Sequence, residues 1–245
     1  MLRFIALPLL VLMLAVGTFA FLQYRRQVIS YLTHWKGSPT HTETFVPFAP
    51  DAQPQLHVAV AGDIGDSGGR LDATAHALAE AEATDPYDLL LLLGDNVYPA
   101  GDPAKLPETV FRPFAPVLEH AELLAILGNH DVMSDHGAEQ LRRLGLPGPW
   151  WASRSENVLL IGLDSNRAYD PEQLAWLEAT LKHATAPWKI VAIHHSPYSA
   201  GYQGSSMSVR EDFVPLFERY GVQLVLSGHD HDYQRSKPIN GVTYS

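Results

Sequence analysis

The residues of this chain that could do chemistry stand where its apolar runs stop. Residues 56–61 (LHVAVA) lead into Gly62 and Asp63, and residues 89–93 (LLLLL) into Gly94, Asp95 and Asn96. Residues 122–127 (ELLAIL) lead into Gly128, Asn129, His130 and Asp131. Residues 188–193 (WKIVAI) lead into His194 and His195, and residues 222–226 (VQLVL) into Ser227, Gly228, His229, Asp230 and His231. These are oxygen and nitrogen donors, and the chain has no cysteine. A thiolate-free set of this kind suits Fe, Mn or Zn rather than a soft metal or a structural cysteine site. Asp95, at the end of the most apolar run, carries a carboxylate that can bridge two metal ions.

Such residues need elements to hold them. A continuous apolar run with polar residues at its end reads as a strand buried on both faces. Open α/β sheets place ligands at the carboxyl ends of such strands. A further strand is expected at 157–163. Helices are expected at 70–83, 138–144, 171–183 and 209–220, from apolar spacing such as Leu174, Leu177 and Leu181. Pro107, Pro113 and Pro116 restrict 103–118 to short helical turns. Alternating strands and helices predict an α/β layered domain.

That domain is expected over residues 56–245. Residues 27–55, with Pro39, Pro47, Pro50 and Pro54, read as an extended linker. Residues 1–26 contain an uncharged apolar run, 4–22, long enough to span a bilayer and flanked by Arg3, Arg25 and Arg26. It reads as a membrane anchor or as a cleaved signal peptide, and either places the domain outside the cytoplasm or at the membrane. At the other end, Asn240-Gly241 is a turn signal, and residues 242–244 look like the start of another strand. The domain is therefore expected to be short at its C-terminus. The formal net charge of the 245 residues is −10, without a basic cluster, which argues against a nucleic-acid partner.

Gly128-Asn129-His130-Asp131 and Gly228-His229-Asp230-His231 are the most specific of the motifs. With Gly62-Asp63 and Gly94-Asp95-Asn96-Val97-Tyr98, the series resembles the calcineurin-like metallophosphoesterases, and within them the purple acid phosphatase branch. The resemblance covers about residues 56–244. It implies a four-layer sandwich of two mixed β-sheets flanked by helices. It implies two metal ions, Fe(III) with Fe, Zn or Mn. Asp63, Asp95, Tyr98 and His231 match the ligands of the first. Asp95, Asn129, His194 and His229 match those of the second, with Asp95 bridging. His130 matches the histidine beside the substrate phosphate. Tyr98 marks the purple branch, where a tyrosinate binds ferric iron.

The implied activity is hydrolysis of a phosphate monoester by a hydroxide formed on the metal pair. The substrate would be a phosphorylated small molecule or a phosphoprotein. The chain departs from the branch at Gln203, which stands about where many members have a further histidine. Gln203 can hydrogen-bond phosphate but has no proton to donate near neutral pH. Two alternatives follow: a weak or inactive membrane-tethered relative that binds metal or phosphate without turnover, and a phosphodiesterase. Asp131 reads either as an orienter of a neighbouring imidazole or as a solvated loop acid. His195 is expected to point away from His194, as successive strand residues do. Asp164, Asp170, His120, His136 and His183 read as surface residues, and Trp150-Trp151 as core or pocket wall.

Overall fold

The apolar runs fold as strands buried on both sides, so layers must lie above and below them. The computed structural model describes residues Phe45–Pro47, 56–155 and 157–245, within the compact unit Thr44–Ser245. The strands are β1 (Phe45–Pro47), β2 (Val58–Ala61), β3 (Leu89–Leu92), β4 (Glu122–Ala125), β5 (Trp151–Arg154), β6 (Val158–Gly162), β7 (Trp188–Ile193), β8 (Leu224–Ser227) and β9 (Thr243–Tyr244). The α-helices are α1 (Gly69–Glu82), α2 (Ala115–Leu118), α3 (Ala138–Arg143), α4 (Pro171–Lys182), α5 (Met207–Asp212) and α6 (Val214–Tyr220).

Two sheets form. One is parallel, in the order β2-β3-β4; the other runs β1-β5-β6-β7-β8-β9 and is mixed, with β5 antiparallel to β6. Alternation along the larger sheet divides its side chains between two cores. Trp151, Leu160 and Ala192 pack with Leu89–Leu92 and α1, in the core around the smaller sheet. Ala152, Ile161, Val191, Ile193 and Val225 face Leu177 of α4, Val209 of α5 and Phe217 of α6. Every side of β3 is covered, and Leu91 has no exposed surface. Truncating it to alanine would cost roughly 2–5 kcal/mol. The result is the four-layer α/β sandwich. Trp151 ties the two sheets together, its indole N–H donating to the Ala125 carbonyl at 2.9 Å.

Three differences from the sequence expectation have physical causes. The helix expected over 209–220 is two helices, α5 and α6, separated at Phe213. Pro215 lacks the N–H that would continue the ladder, and its ring crowds the carbonyl four residues back. Phe45–Pro47, inside the expected linker, is extended but pairs in parallel with Ala152, Ser153 and Arg154 of β5. Asp164 is not a surface residue. It is buried, accepting from Asn166 N at 3.0 Å and Asn166 Nδ2 at 2.9 Å, and it pairs with Arg167 Nε at 3.0 Å. Asp170 caps α4, accepting from Glu172 N and Gln173 N. His120, His136 and His183 are exposed, and Trp150 and Trp151 are core. β9 pairs with β8 and buries Tyr244. Among the described residues no helix is long and apolar enough to cross a membrane, and the run at 4–22 lies outside them.

Candidate metal centre

The strand ends of both sheets converge. Asp63 follows β2, Asp95 follows β3, Asn129 follows β4, His194 follows β7, and His229 and His231 follow β8. Backbone bonds lock these loops in register: Asp63 N donates to Gly94 O at 2.9 Å, and Gly228 N to His194 O at 3.1 Å. The Asp63 carboxylate accepts from His229 N at 2.8 Å, joining the smaller sheet to the larger.

The turns that deliver these side chains use the left-handed region. Asp63, Asp95, His229 and His231 have φ of 58°, 52°, 79° and 55°. A non-glycine residue there is uncommon and costs of order 1 kcal/mol or more, so such residues gather at functional sites. Gly94, at φ 91°, has no such penalty, and a Cβ on it would come within 2.6 Å of Gly128 N. Gly128 in turn must lack a Cβ, because one would overlap the Asp95 carboxylate and backbone.

Two groups of donors result. In the first, Tyr98 Oη lies 3.0 Å from His231 Nε2 and 3.3 Å from Asp63 Oδ1, and His231 Nε2 lies 3.4 Å from Asp63 Oδ1. In the second, His194 Nε2 lies 3.1 Å from Asn129 Oδ1, 3.2 Å from His229 Nδ1 and 3.6 Å from Asp95 Oδ2. Asp63, Asp95 and His194 together offer ligand atoms within 4.8 Å of one another.

The hydrogen bonding fits a cation. His194 Nδ1 lies 2.8 Å from the Leu93 carbonyl, which can only accept. Nδ1 therefore carries a proton, and Nε2 is the ring nitrogen turned toward Asn129 Oδ1 and the Asp95 carboxylate. Oxygen and nitrogen donors gathered this closely are a set that a cation would draw together. Asp95 is 2% exposed and adjoins Asp63 of the first group and His194 of the second.

His130 stands beside this pair. Its backbone N–H donates to Asp95 Oδ1 at 2.9 Å, and its Nδ1 lies 2.6 Å from the Pro99 carbonyl. Nε2 is thus the free ring nitrogen, 3.9 Å from Asp95 Oδ2, and the ring meets Tyr98 edge-on at 4.7 Å. Gln203 is placed differently. Its side chain is exposed, and its bond toward the histidine loop is made by the backbone N–H, to Asp230 Oδ1 at 2.7 Å.

Burial and charge set the titration of the site. Burial pushes the Tyr98 phenol well above its ordinary value, and the Asp95 and Asp63 carboxylates push it further. Burial lowers His229, and the neighbouring His194 adds to the shift. His195 is pushed down to about 3, first by burial and then by His194 and His229. Its ring lies 4.5 Å from that of His229 and 5.0 Å from that of His194. The strand has ended at Ile193, so strand alternation no longer turns His195 away. Ser165 is a residue sequence reasoning passed over. Its hydroxyl oxygen accepts from His194 N and His195 N at 3.2 and 3.0 Å and lies 2.9 Å from His195 Nδ1.

Asp131 also needs correcting. It orients no imidazole among its described partners, and it is not solvated. Fully buried, it accepts from Asn96 N, Asn96 Nδ2, Val97 N, Gly128 N and Gln140 Nε2 at 2.9–3.1 Å. Its carboxylate ties the loop after β3 to the loop after β4. Burial raises it, against these hydrogen bonds.

Comparison with known proteins shows the family and the fold. The calcineurin-like phosphoesterase family model matches residues 56–233. Tartrate-resistant acid phosphatase type 5 of Oryctolagus cuniculus is 26% identical, over 83% of this chain and 75% of that protein. Probable purple acid phosphatase 20 of Arabidopsis thaliana is 29% identical, over 81% of this chain and 51% of that protein. Among solved structures, GAP50, titled the anchor in the inner membrane complex of Plasmodium, superposes with a TM-score of 0.67 at 18% identity, over 77% of this chain and 70% of that one. A layered α/β fold whose strand ends gather carboxylates and imidazoles defines a metal-binding phosphoester hydrolase. The chain belongs to the calcineurin-like phosphoesterase family, with purple acid phosphatases among its relatives.

Proposed function

We propose that the chain is a dinuclear-metal phosphomonoesterase of the acid phosphatase type. The carrying observation is the pair of adjoining donor groups that meet at Asp95. Asp63, Asp95, Tyr98 and His231 hold one ion; Asp95, Asn129, His194 and His229 hold the other. Fe(III) with Fe, Zn or Mn fits this set of phenol, carboxylate, amide and imidazole donors. Bound ions supply an activated water and neutralise charge on the phosphoryl group.

The remaining roles belong to this chain's own groups. His130, with Nδ1 engaged at Pro99, presents Nε2 to the phosphoryl oxygens or to the leaving oxygen. Hydrolysis adds water across the P–O bond, and the leaving alkoxide must receive a proton. In this reading His130 supplies it, because Gln203 has none to give. Substrates are phosphorylated small molecules or phosphoproteins, and the monoester reading draws on the acid phosphatase names of the relatives. Residues 1–26 would anchor or export the domain. A second reading, metal or phosphate binding without turnover, draws on the exposed position of Gln203.

The test is metal content per chain by elemental mass spectrometry, paired with hydrolysis of 4-nitrophenyl phosphate and of its diester. Two metals including iron, with monoester cleavage, is the expected result. Two metals without cleavage would move the binding-only reading ahead. One metal or none would overturn the two-ion assignment.

A further inference from the structure

One short turn meets the second donor group from two directions. It is the 3₁₀ turn Ser165–Arg167, which follows β6 and is capped by Asp164. Ser165 is buried, and its Oγ accepts from His194 N at 3.2 Å and from His195 N at 3.0 Å. A hydroxyl has one hydrogen and two acceptor sites. The two backbone N–H groups take both acceptor sites, so the hydrogen goes to His195 Nδ1, 2.9 Å away. That bond fixes the His195 ring, which packs against the His229 ring with centroids 4.5 Å apart and meets the His194 ring edge-on at 5.0 Å.

Asn166 reaches the other sheet. Its amide donates to Asp164 Oδ1 at 2.9 Å, and also to the Leu127 and Gly128 carbonyls at 3.3 and 3.4 Å. Those carbonyls directly precede Asn129, whose Oδ1 lies 3.1 Å from His194 Nε2. Asn129 and His194 follow strands of different sheets, so contacts between their loops must set their separation. Among the described residues, none of the hydrogen bonds of Ser165 and Asn166 reaches Asp63, Tyr98 or His231.

We propose that Ser165 and Asn166 are positioning residues for the second ion alone. Ser165 holds the backbone of His194 and, through His195, backs the ring of His229; Asn166 holds the loop that carries Asn129. Neither is itself a ligand. This rests on the two-ion reading above.

The experiment titrates the full, metal-loaded chain with EDTA and counts the ions left per chain by elemental mass spectrometry. His194→Gln marks which step belongs to the second ion. In Asn166→Ala and Ser165→Ala that step should move to about 10- to 100-fold less EDTA, the usual scale for removing a group that orients a ligand, while the other step stays where it is in the wild type. Ser165→Thr, which keeps the hydroxyl, should restore the step. Asn166 is only half-buried, so its variant carries the test even if Ser165→Ala does not fold. A general loosening of the fold would shift both steps together. Both steps moving, neither moving, or Ser165→Thr behaving like Ser165→Ala overturns the inference and leaves the two-ion reading standing. A wild-type chain that holds fewer than two ions overturns that reading and the inference with it.

Discussion

Asp131 and Asn96, 35 residues apart in the chain, are joined twice: the backbone and side-chain amides of Asn96 both donate to Asp131 Oδ2, at 3.0 and 3.1 Å. The same oxygen accepts from Gly128 N at 2.9 Å. One carboxylate thereby sets the distance between Asp95 and Asn129, which neighbour its partners in sequence. Asp131→Ala would strand several buried N–H donors at once. We expect a loss of roughly 3–5 kcal/mol in urea unfolding, with weaker metal retention. Wild-type stability in that variant would show that the loops hold without the carboxylate.

Asp95 Oδ2 lies 3.6 Å from His194 Nε2, and Asp63, Asp95 and His194 offer ligand atoms within 4.8 Å of one another. In Asp95→Ala the shared oxygens vanish, and neither group keeps a full set. Metal content should fall to near zero and hydrolysis with it. Retained turnover would sink the two-ion assignment.

Tyr98 would be a different kind of ligand. Burial and two carboxylates hold its phenol neutral, so only a highly charged cation could ionise it. If ferric iron binds there, the chain should be coloured. Tyr98→Phe should bleach the visible absorption while far-UV circular dichroism stays unchanged. A colour that persists in the variant would remove Tyr98 from the ligand set.

His195 gives a pH prediction for the metal-free chain. Its folded value of about 3 lies below the ordinary 6.5, so the folded state resists protonation more than the unfolded one. The stability it contributes is full above 6.5 and is lost as pH falls from 6.5 to about 3. His195→Gln should flatten this part of the profile, read by chemical unfolding at stepped pH. An unchanged slope would place the acid sensitivity elsewhere.

The sequence by itself determined the strands and the residue types at their ends. Both are local properties: a run such as 89–93 must be buried on two faces, and only a few donor chemistries follow it. Asp63, Asp95, Asn129, His130, His194, His229 and His231 stand out in this way as candidate donors, because each sits in a short motif beside its strand, whereas Tyr98 is a candidate only through the family resemblance. The tertiary structure alone decided how the strands divide between two sheets, since an apolar strand does not say which layer covers it. It also decided the supporting shell. Asp131, Asp164, Ser165 and Asp230 look like ordinary loop residues along the chain, and for Asp131, Ser165 and Asp230 the partners lie up to 35 residues away. Burial turned Asp131 and Asp164 from surface acids into anchors, and the end of β7 at Ile193 brought His195 into the cluster. Gln203, singled out by the resemblance, is held through its backbone N–H on Asp230 and has its side chain exposed.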